Sequence, residues 1–266
     1  MRILFDLHTH TRFSTPRGFS HAVGSVAQNL GAALAKGMGV GISNHGPAHV
    51  VYGISPKAYA ALAREVEDAN RAAGKKRALL SCECNLTSQK GTTDFSLLPF
   101  APEVVLLGYH KGVLQREEPL FFWRAQRGGR AFAAKMTAAL ISAIEREPID
   151  VITHPGEYVP VEYAALARAA AALGVVLEIN DKHPMTEEQL NICAENGAYF
   201  VISSDAHKPA RVGCFSRAAA AAKNAKIPLE RIVNCDIYRF CAGLRVDKLA
   251  GFAQSIRETS TGFSTI

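Results

Sequence analysis

Short apolar runs alternate along the chain with longer segments in which apolar residues recur at helical spacing. Seven of these runs are rich in valine, isoleucine and leucine, which is typical of strands buried on both faces of a parallel sheet. They cover residues 3–8, 40–45, 78–83, 104–110, 151–154, 175–179 and 199–203. The alternation predicts an α/β fold with parallel strands.

Helix signals occupy the segments between these strands. Ser20 is the predicted N-cap of the first helix, and Ser55 followed by Pro56 predicts the start of the second. Thr186 and Gln189 have the spacing of a capping box. Three further helices are predicted from alanine-rich segments, which cover residues 131–145, 161–173 and 215–225.

The strand–helix units follow one another without a linker-like stretch, so we predict a single domain over residues 1–266. No glycine-rich dinucleotide loop follows the first strand, which favours a closed or nearly closed barrel over an open sheet. Residues 89–102 are predicted to make a longer excursion over one face. The segment beyond Gly251 is predicted to be a frayed tail.

Composition narrows the class of protein. The chain of 266 residues is 48% hydrophobic and 20% charged, which suits a folded core and argues against extensive disorder. Its formal charge of +6 suits an anionic ligand, although many enzymes carry such a charge as a solvated surface. Asp6 and His8 interrupt any apolar signal region, and no apolar run reaches membrane-spanning length, so we expect a cytoplasmic protein. We interpret Cys82 and Cys84 as small core residues.

The positions of the histidines carry most of the chemical information. Of the nine, six stand at or just beyond the C-terminal end of a predicted strand, namely His8, His10, His45, His110, His154 and His207. Glu83 ends the third predicted strand, and Asp205 follows the seventh. In a parallel barrel these strand ends converge on one face, where such barrels carry their chemistry.

The spacing of these residues indicates metal binding. His8 and His10 are two residues apart, so an extended backbone points both imidazoles to one side, and Asp205 and His207 repeat this spacing. Imidazole and carboxylate are ligands that zinc prefers, and they also suit manganese and iron. Any one of these histidines alone is equally well explained as a hydrogen-bonded core or surface residue. Eight candidate ligands together exceed the needs of one tetrahedral ion, which indicates two or more divalent metals.

In this order the motifs resemble the PHP family, named for polymerase-associated and histidinol-phosphatase domains. The segments that carry the resemblance are DLHTHT at 6–11, ISNHGP at 42–47, CECN at 82–85, GYH at 108–110, THPG at 153–156, EIN at 178–180 and SDAH at 204–207. The resemblance therefore extends over residues 3–215, which is most of the chain.

The resemblance implies a distorted seven-unit (β/α) barrel of the TIM-like type, with two or three divalent metals, often zinc and sometimes manganese or iron. Carried over by motif, one metal takes His8, His10, Glu83 and Asp205. A second shares Glu83 and takes His110 and His154. A third takes His45 and His207 together with one histidine from the loop after the first strand.

The chain departs from related phosphatases in that loop, where they carry a histidine at the place of Pro16 or Arg17. His21 lies a few residues further on and is a candidate substitute for that histidine, but we favour its interpretation as a residue near a helix N-terminus. We hypothesise instead that Arg17 places a fixed cation near the third site and binds phosphate bidentately. Asn44 is a second departure, because many relatives have an aspartate there, and its neutral side chain weakens the third site.

The expected chemistry is hydrolysis of a phosphate ester by a hydroxide that bridges two of the metals. Glu83 is predicted to bridge the same two ions, and Asp205 to ligate a metal and accept a proton from the attacking water. His207 or His45 is the candidate general acid if the third metal is absent. The predicted phosphate-binding cations are Arg12, Arg17, Lys111 and Arg211.

Other polar residues near the motifs receive simpler interpretations. By alternation along the first strand, Asp6 faces the same side as the first ligand pair and is predicted to orient an imidazole. Glu157 and Asn180 are predicted to line the pocket. His49 and His183 lie in predicted loops, and we interpret both as surface residues.

We predict a metal-dependent hydrolase acting on the phosphate monoester of a small molecule. The same metal centre would also suit a phosphodiesterase or nuclease, for which residues 121–127 with Arg130 form the one basic aromatic segment in the sequence. We interpret that segment as an ordinary helix. A phosphotyrosine phosphatase and a metal-binding scaffold without turnover are further alternatives, and the complete first and second ligand sets argue against the scaffold.

Overall fold

The strands follow one another around a barrel in chain order. The computed structural model describes residues 1–14, 21–113, 129–240 and 242–260. Within these ranges, seven parallel strands pair successively from first to last. They are β1 (Phe5–Thr9), β2 (Gly39–Ile42), β3 (Ala78–Asn85), β4 (Val104–Gly108), β5 (Val151–Ile152), β6 (Val176–Asn180) and β7 (Phe200–Ser203). Each overlaps a predicted run, which confirms the parallel α/β architecture.

Helices lie between most successive strands, and two more follow the last strand. Those within the described ranges are α1 (Val26–Leu34), α2 (Pro56–Ala72), α3 (Arg130–Arg146), α4 (Tyr163–Ala172), α5 (Glu187–Glu195), α6 (Ser216–Asn224) and α7 (Ala250–Ser260). Ser55 caps α2 as predicted, and Thr186 and Gln189 form the predicted capping box of α5. The start of α1 differs from the prediction, because Ser25 caps it in a capping box of its own. Ser20 lies outside the described residues.

The interior of the barrel is filled by aliphatic side chains from successive strands. They include Leu7, Leu79, Leu106, Val176 and Val201, each at most 1% exposed. Layers of branched side chains of this kind make the centre of such a barrel a packed core rather than a pore. The polar ends of the strands are therefore the part of the barrel that is available for chemistry.

The C-terminal helix α7 packs against the barrel interior. Phe252 contacts Phe5 at a ring-centroid distance of 5.7 Å, and Ala253 and Ile256 are buried in the same cluster. The prediction of a frayed tail beyond Gly251 is therefore wrong for residues 251–260, because these apolar side chains share one helical face. Residues 261–266 lie outside the described ranges.

Asn234 joins β1 to β7 where the sheet would otherwise remain open. Its amide nitrogen donates to the carbonyls of Phe5 and Ile202 at 2.8 and 2.7 Å, and its amide oxygen accepts from the Ile202 N–H at 3.1 Å. Further along β1, the N–H of His10 donates to the carbonyl of Ala206 at 2.8 Å. The barrel is nearly closed, as predicted, and the ends of β1 and β7 lie side by side.

Two further predictions concern the whole chain. In the described ranges, no helix combines the length and apolar character that crossing a membrane requires. The five cysteines that the structure describes are free, and Cys82 and Cys84 are buried in the core as expected.

Candidate metal centre

The C-terminal ends of the strands bring the eight predicted ligand side chains to one mouth of the barrel. His8 and His10 are fully buried there. The other six line a cavity of about 160 Å³. Three more imidazoles that the sequence interpretation placed elsewhere also line this cavity, namely His21, His49 and His183.

Glu83, at the end of β3, lies at the centre of the cluster. Its Oε1 is 3.2 Å from His8 Nε2, 3.1 Å from His110 Nε2 and 3.0 Å from His154 Nε2. Its Oε2 is 2.9 Å from His45 Nδ1, yet neither of these two buried atoms makes a hydrogen bond to any described residue. Buried polar atoms are ordinarily satisfied, so this pair of unsatisfied atoms suits a bound cation.

His8, His10 and Asp205 form a tight group beside Glu83. The Nε2 atoms of the two histidines are 3.1 Å apart, and Asp205 Oδ1 lies 3.4 Å from His10 Nε2 and 3.8 Å from His8 Nε2. Ligands bound to one tetrahedral zinc at about 2.0–2.1 Å lie about 3.3 Å from one another. The spacing of these donor atoms therefore fits one divalent ion.

His21 completes a third group, which corrects the sequence interpretation. Its Nε2 lies 3.0 Å from His45 Nε2 and 2.8 Å from His207 Nε2. Because α1 begins only at Val26, His21 is not at a helix N-terminus, and the loop before the helix carries it into the mouth of the barrel. His21 therefore takes the place of the loop histidine whose absence motivated the hypothesis for Arg17. Arg17 itself lies outside the described residues.

Hydrogen bonds on the far side of two imidazoles fix their orientation. His8 Nδ1 lies 2.7 Å from Glu178 Oε1, and His110 Nδ1 lies 2.8 Å from Asn85 Oδ1. Asn85 is held in turn by Asp94, whose Oδ2 accepts from the Asn85 amide at 2.7 Å. Since both partners are acceptors, each Nδ1 carries a proton, and each Nε2 is the nitrogen that faces the cluster.

The backbone is strained where two of the candidate ligands leave their strands. His154 and Asp205 have φ angles of 27° and 50°, which lie in the left-handed region that residues other than glycine rarely adopt. Such a conformation costs about 1–3 kcal/mol and persists only where the surroundings enforce it. The N–H of His154 is held by a hydrogen bond of 2.8 Å to Glu178 Oε2. Strain of this kind often accompanies functional sites.

Electrostatics keep the carboxylates of the cluster ionised. Burial by itself raises the pKa of Glu83, but the neighbouring histidines, His110 foremost, lower it well below its usual range. The pKa of Asp205 is also raised by burial and is brought well below its usual range by His8 and further neighbours. Both acids therefore present full negative charges to the mouth of the barrel.

The histidines divide into two groups by pKa. Burial lowers the pKa of His10 and of His21 to about 3, and it lowers that of His45 as well. Burial opposes protonation of His8 too, but the negative charges of Glu83 and other acids raise its pKa well above its usual value. Most of these imidazoles are therefore neutral at pH 7, which is the state that binds metals.

The predicted phosphate-binding cations have different surroundings. Arg12 forms an ion pair with Glu65 on the outside of the barrel and does not line the central cavity within the described residues. Lys111 lines that cavity, with its Nζ 5.2 Å from the centre of the Tyr158 ring. Arg211 lines an adjoining groove.

One cation of the cavity, Lys182, was not predicted from the sequence. It lines the central cavity, and its Nζ lies 3.8 Å from Asp205 Oδ2. Asn180, predicted to line the pocket, instead shapes the loop after β6 by accepting from the N–H groups of Lys182 and His183 at 2.8 and 3.0 Å. The signal available in the sequence was the position of Lys182 two residues beyond a strand end.

The surface interpretation is wrong for His49 and His183. His49 is 6% exposed and stacks on His45 at a ring-centroid distance of 5.4 Å. His183 is half-buried, and its Nδ1 lies 2.9 Å from Glu157 Oε1. Both residues lie on loops that fold back over the mouth of the barrel, and local loop sequence does not reveal such a path.

Asp6 and Asn44 accept hydrogen bonds from residues outside the strands rather than from imidazoles. Asp6 accepts hydrogen bonds from the N–H and hydroxyl of Ser204 at 3.1 and 2.5 Å, so the prediction that it orients an imidazole is wrong. These donors reach it because the loop after β7 crosses the end of β1. Asn44 accepts from the Thr11 N–H at 2.8 Å and from the Ser14 hydroxyl at 2.7 Å, and so fixes the residues that follow β1.

Comparison with known proteins places the chain among phosphatases. It is 30% identical over 252 residues to a probable phosphatase of Shewanella loihica, covering 88% of this chain and 90% of the relative. A probable phosphatase of Shewanella frigidimarina is 29% identical over the same length and coverage. No family model matches the chain.

A solved structure shares the fold. It is a histidinol phosphate phosphatase from Lactococcus lactis, complexed with zinc, L-histidinol and phosphate, with a TM-score of 0.56 and 14% sequence identity. The match covers 84% of this chain and 92% of that one, and at this identity it concerns the barrel alone. The identity with the Shewanella proteins over nearly their whole length is the stronger finding, and it confirms the expectation of a hydrolase: the chain belongs to the family of these probable phosphatases.

Proposed function

We propose that this protein is a metal-dependent phosphatase that hydrolyses phosphate monoesters of small molecules. The observation that carries the proposal is the convergence of seven imidazoles on two ionised carboxylates, Glu83 and Asp205, at the mouth of the barrel. The relatives named probable phosphatases and the resemblance to the PHP family support the same reaction class.

The donor set fits three divalent ions. The first would be held by His8, His10, Glu83 and Asp205. The second would share Glu83 and be held by His110 and His154. The third would be held by His21, His45 and His207. Imidazole with carboxylate favours zinc, and manganese or iron suits the same ligands. Bound divalent ions supply Lewis acidity, which lowers the pKa of water and neutralises charge on a phosphoryl group.

Residues of the chain have separate tasks around these ions. Asp205 is ionised and is our candidate to hold the proton of the attacking water at its Oδ2, which faces Lys182 at 3.8 Å. Lys182 and Lys111 both line the cavity and place positive charge where the transferred phosphoryl group would lie. With His21 in the third group, we assign His45 and His207 as ligands rather than as general acids.

The size of the cavity favours a monoester over a diester. The central cavity measures about 160 Å³ and lies between the candidate ligands and the aromatic side chains Tyr52 and Tyr158. A terminal phosphate can enter such a space with three free oxygens, whereas a diester must also place a second organic substituent. The basic aromatic segment at residues 121–127, which would favour a nuclease, lies outside the described residues.

Activity against paired chromogenic esters tests the proposal. Protein freed of metal with a chelator is assayed with p-nitrophenyl phosphate and with bis(p-nitrophenyl) phosphate, before and after addition of zinc or manganese. We expect hydrolysis of the monoester only, and only after metal is added. Hydrolysis of the diester alone would instead indicate a phosphodiesterase. Stoichiometric metal binding without any turnover would indicate a scaffold.

The variant Glu83→Gln examines the centre itself. It removes the charge shared by the first two ligand groups while keeping the shape of the side chain, so we expect kcat/KM to fall at least about 100-fold, with weaker metal binding. Glu195→Gln, at an exposed position of α5, is the matched control and should behave as the parent protein. Equal activity of the two variants would exclude Glu83 from the reaction.

A further inference from the structure

A second, strongly basic space adjoins the candidate metal centre. It is a groove of about 480 Å³ whose basic side chains are Lys182, Lys208, Arg211 and Arg217. His21, Lys182, Asp205 and His207 line both this groove and the central cavity. The two spaces therefore adjoin each other along these four side chains.

The positive charge of the groove is only partly offset. Asp181 is fully buried behind it, where its carboxylate accepts from Arg211 Nη2 at 3.1 Å and from the N–H of Arg217 at 2.7 Å. Asp205, the carboxylate in the lining, is assigned to the metals by the proposed function. Asp181 and Asp205 are thus the two carboxylates that the described ion pairs set against the four cations of the groove, and the groove keeps a positive potential.

Two guanidinium groups of the groove are held in place by hydrogen bonds. Asp181 fixes the Arg211 guanidinium, and the Arg217 guanidinium donates to the carbonyl of Lys182 at 3.1 Å, which ties α6 to the loop after β6. Lys208 is exposed, directly after His207 in the chain. Held guanidiniums beside an exposed ammonium group form a preorganised site for an anion with several oxygens.

The rest of the lining of the central cavity carries less positive charge than the groove. Tyr52 and Tyr158 contribute aromatic surface. Lys111 adds one cation, which lies over the Tyr158 ring. Positive charge is thus concentrated towards the groove.

We propose that the substrate is a phosphate monoester whose leaving group carries a second anionic group, a phosphate in the first instance, and that the groove binds this second group. The inference rests on the proposed function, because it assumes that the scissile phosphate lies in the central cavity. The groove then holds the far end of the substrate, and its binding energy orients the ester for reaction.

Matched pairs of substrates test this inference. Release of inorganic phosphate is measured for fructose 1-phosphate against fructose 1,6-bisphosphate, and for glycerol 3-phosphate against 3-phosphoglycerate. The first pair adds a phosphate and the second replaces a hydroxymethyl group by a carboxylate. We expect kcat/KM to be at least about tenfold higher for the bisphosphate, since a charged hydrogen bond contributes that much to recognition. A higher kcat/KM for 3-phosphoglycerate than for glycerol 3-phosphate, without a preference for the bisphosphate, would mean that the groove binds a carboxylate rather than a phosphate.

Variants of the groove assign the preference to its cations. Lys208→Gln and Arg217→Gln each remove one charge from an exposed position. We expect each to lower the ratio of kcat/KM between the doubly anionic and the singly anionic substrate severalfold. Lys223→Gln, which removes the same charge from an exposed position of α6 outside the groove, should leave the ratio unchanged. Rising salt should lower the ratio for the parent protein.

Failure of this inference is distinguishable from failure of the proposed function. If p-nitrophenyl phosphate is hydrolysed but neither substrate pair shows a preference for the second anion, the groove inference is overturned and the phosphatase stands. The same conclusion follows if the Lys223→Gln control lowers the ratio as much as the two groove variants. If no monoester is hydrolysed with metal present, both proposals fall together.

Discussion

A buried glutamate behind the candidate ligands shows how single residues prepare this site. Glu178 on β6 is fully buried, and its Oε1 lies 2.7 Å from His8 Nδ1. Its Oε2 accepts from the N–H of His154 at 2.8 Å and from the Asn180 amide at 2.9 Å. Burial alone raises the pKa of Glu178, but the charge of His8 and its other partners lower it below the usual value. One ionised side chain therefore positions candidate ligands from two strands.

At this scale we predict that Glu178→Gln weakens metal binding without unfolding the barrel. An amide can accept from only one of the two sides, because its NH₂ group faces a donor on the other. Loss of such an orienting partner lowers metal affinity about 10–100-fold. Competition for zinc with a chromophoric chelator measures the change. Glu188→Gln, exposed on α5, is the matched control, and equal affinity of the two variants would refute the assignment.

Single residues were predictable where the signal is local. Strand-end positions and the spacing of His8 and His10 are visible in the chain, so the sequence identified the side chains that now lie around Glu83. The role of Glu178 depends on a contact across 170 positions with His8, which no local pattern encodes. His21 was misjudged for the same reason, because its contact with His207 spans 186 positions of the chain.

Among the elements, the C-terminal helix has the clearest structural task. In α7, Phe252, Ala253 and Ile256 bury one face against the barrel interior. Phe252 also lies next to Gly39, where a side-chain carbon on the glycine would come within 2.4 Å of the phenyl ring. Strand β2 therefore begins with a residue small enough to admit the helix. The contact between α7 and β2 is therefore specified jointly by two segments that are far apart in the sequence.

We expect Phe252→Ala to destabilise the fold by about 3–5 kcal/mol, because it removes a large buried ring and leaves a cavity. Equilibrium unfolding in denaturant, measured on chelator-treated protein, gives the change in the free energy of unfolding. Gln254→Ala alters an exposed position of the same helix and should cost under about 0.5 kcal/mol. A small effect of Phe252→Ala would mean that α7 is dispensable for the barrel.

Elements were predictable in proportion to the length of their pattern. The seven strands were found because runs of valine, isoleucine and leucine mark them, even β5, which has only the two residues Val151–Ile152. Helix α7 was wrongly predicted to be a frayed tail. Its apolar residues are few, and they pack against the barrel interior, which is formed by distant segments of the chain. The N-cap of α1 was misplaced because Ser20 and Ser25 both have the required side chain.

On the scale of the whole molecule, the buried imidazoles link stability to pH in two opposite directions. Burial lowers the pKa of His10 to about 3, so between that value and the ordinary 6.5 the unfolded chain binds the extra proton, and stability falls as pH falls. Burial is outweighed at His8, where Glu83 and other acids raise the pKa well above 6.5. Above 6.5 the folded chain therefore binds the extra proton, and stability falls as pH rises.

We therefore predict that the metal-free protein is most stable near pH 6.5, where neither His10 nor His8 opposes folding through its proton. Each such proton changes the free energy of unfolding by at most about 1.4 kcal/mol per pH unit. Denaturant titrations at successive pH values measure both limbs of the curve, and His10→Asn should flatten the acidic limb while His8→Asn flattens the alkaline one. Excess zinc should abolish the alkaline decline, because the metal binds only the deprotonated imidazole and gains affinity as pH rises. A metal-free stability that climbs steadily through this range would contradict the placement of His8 among the three acids.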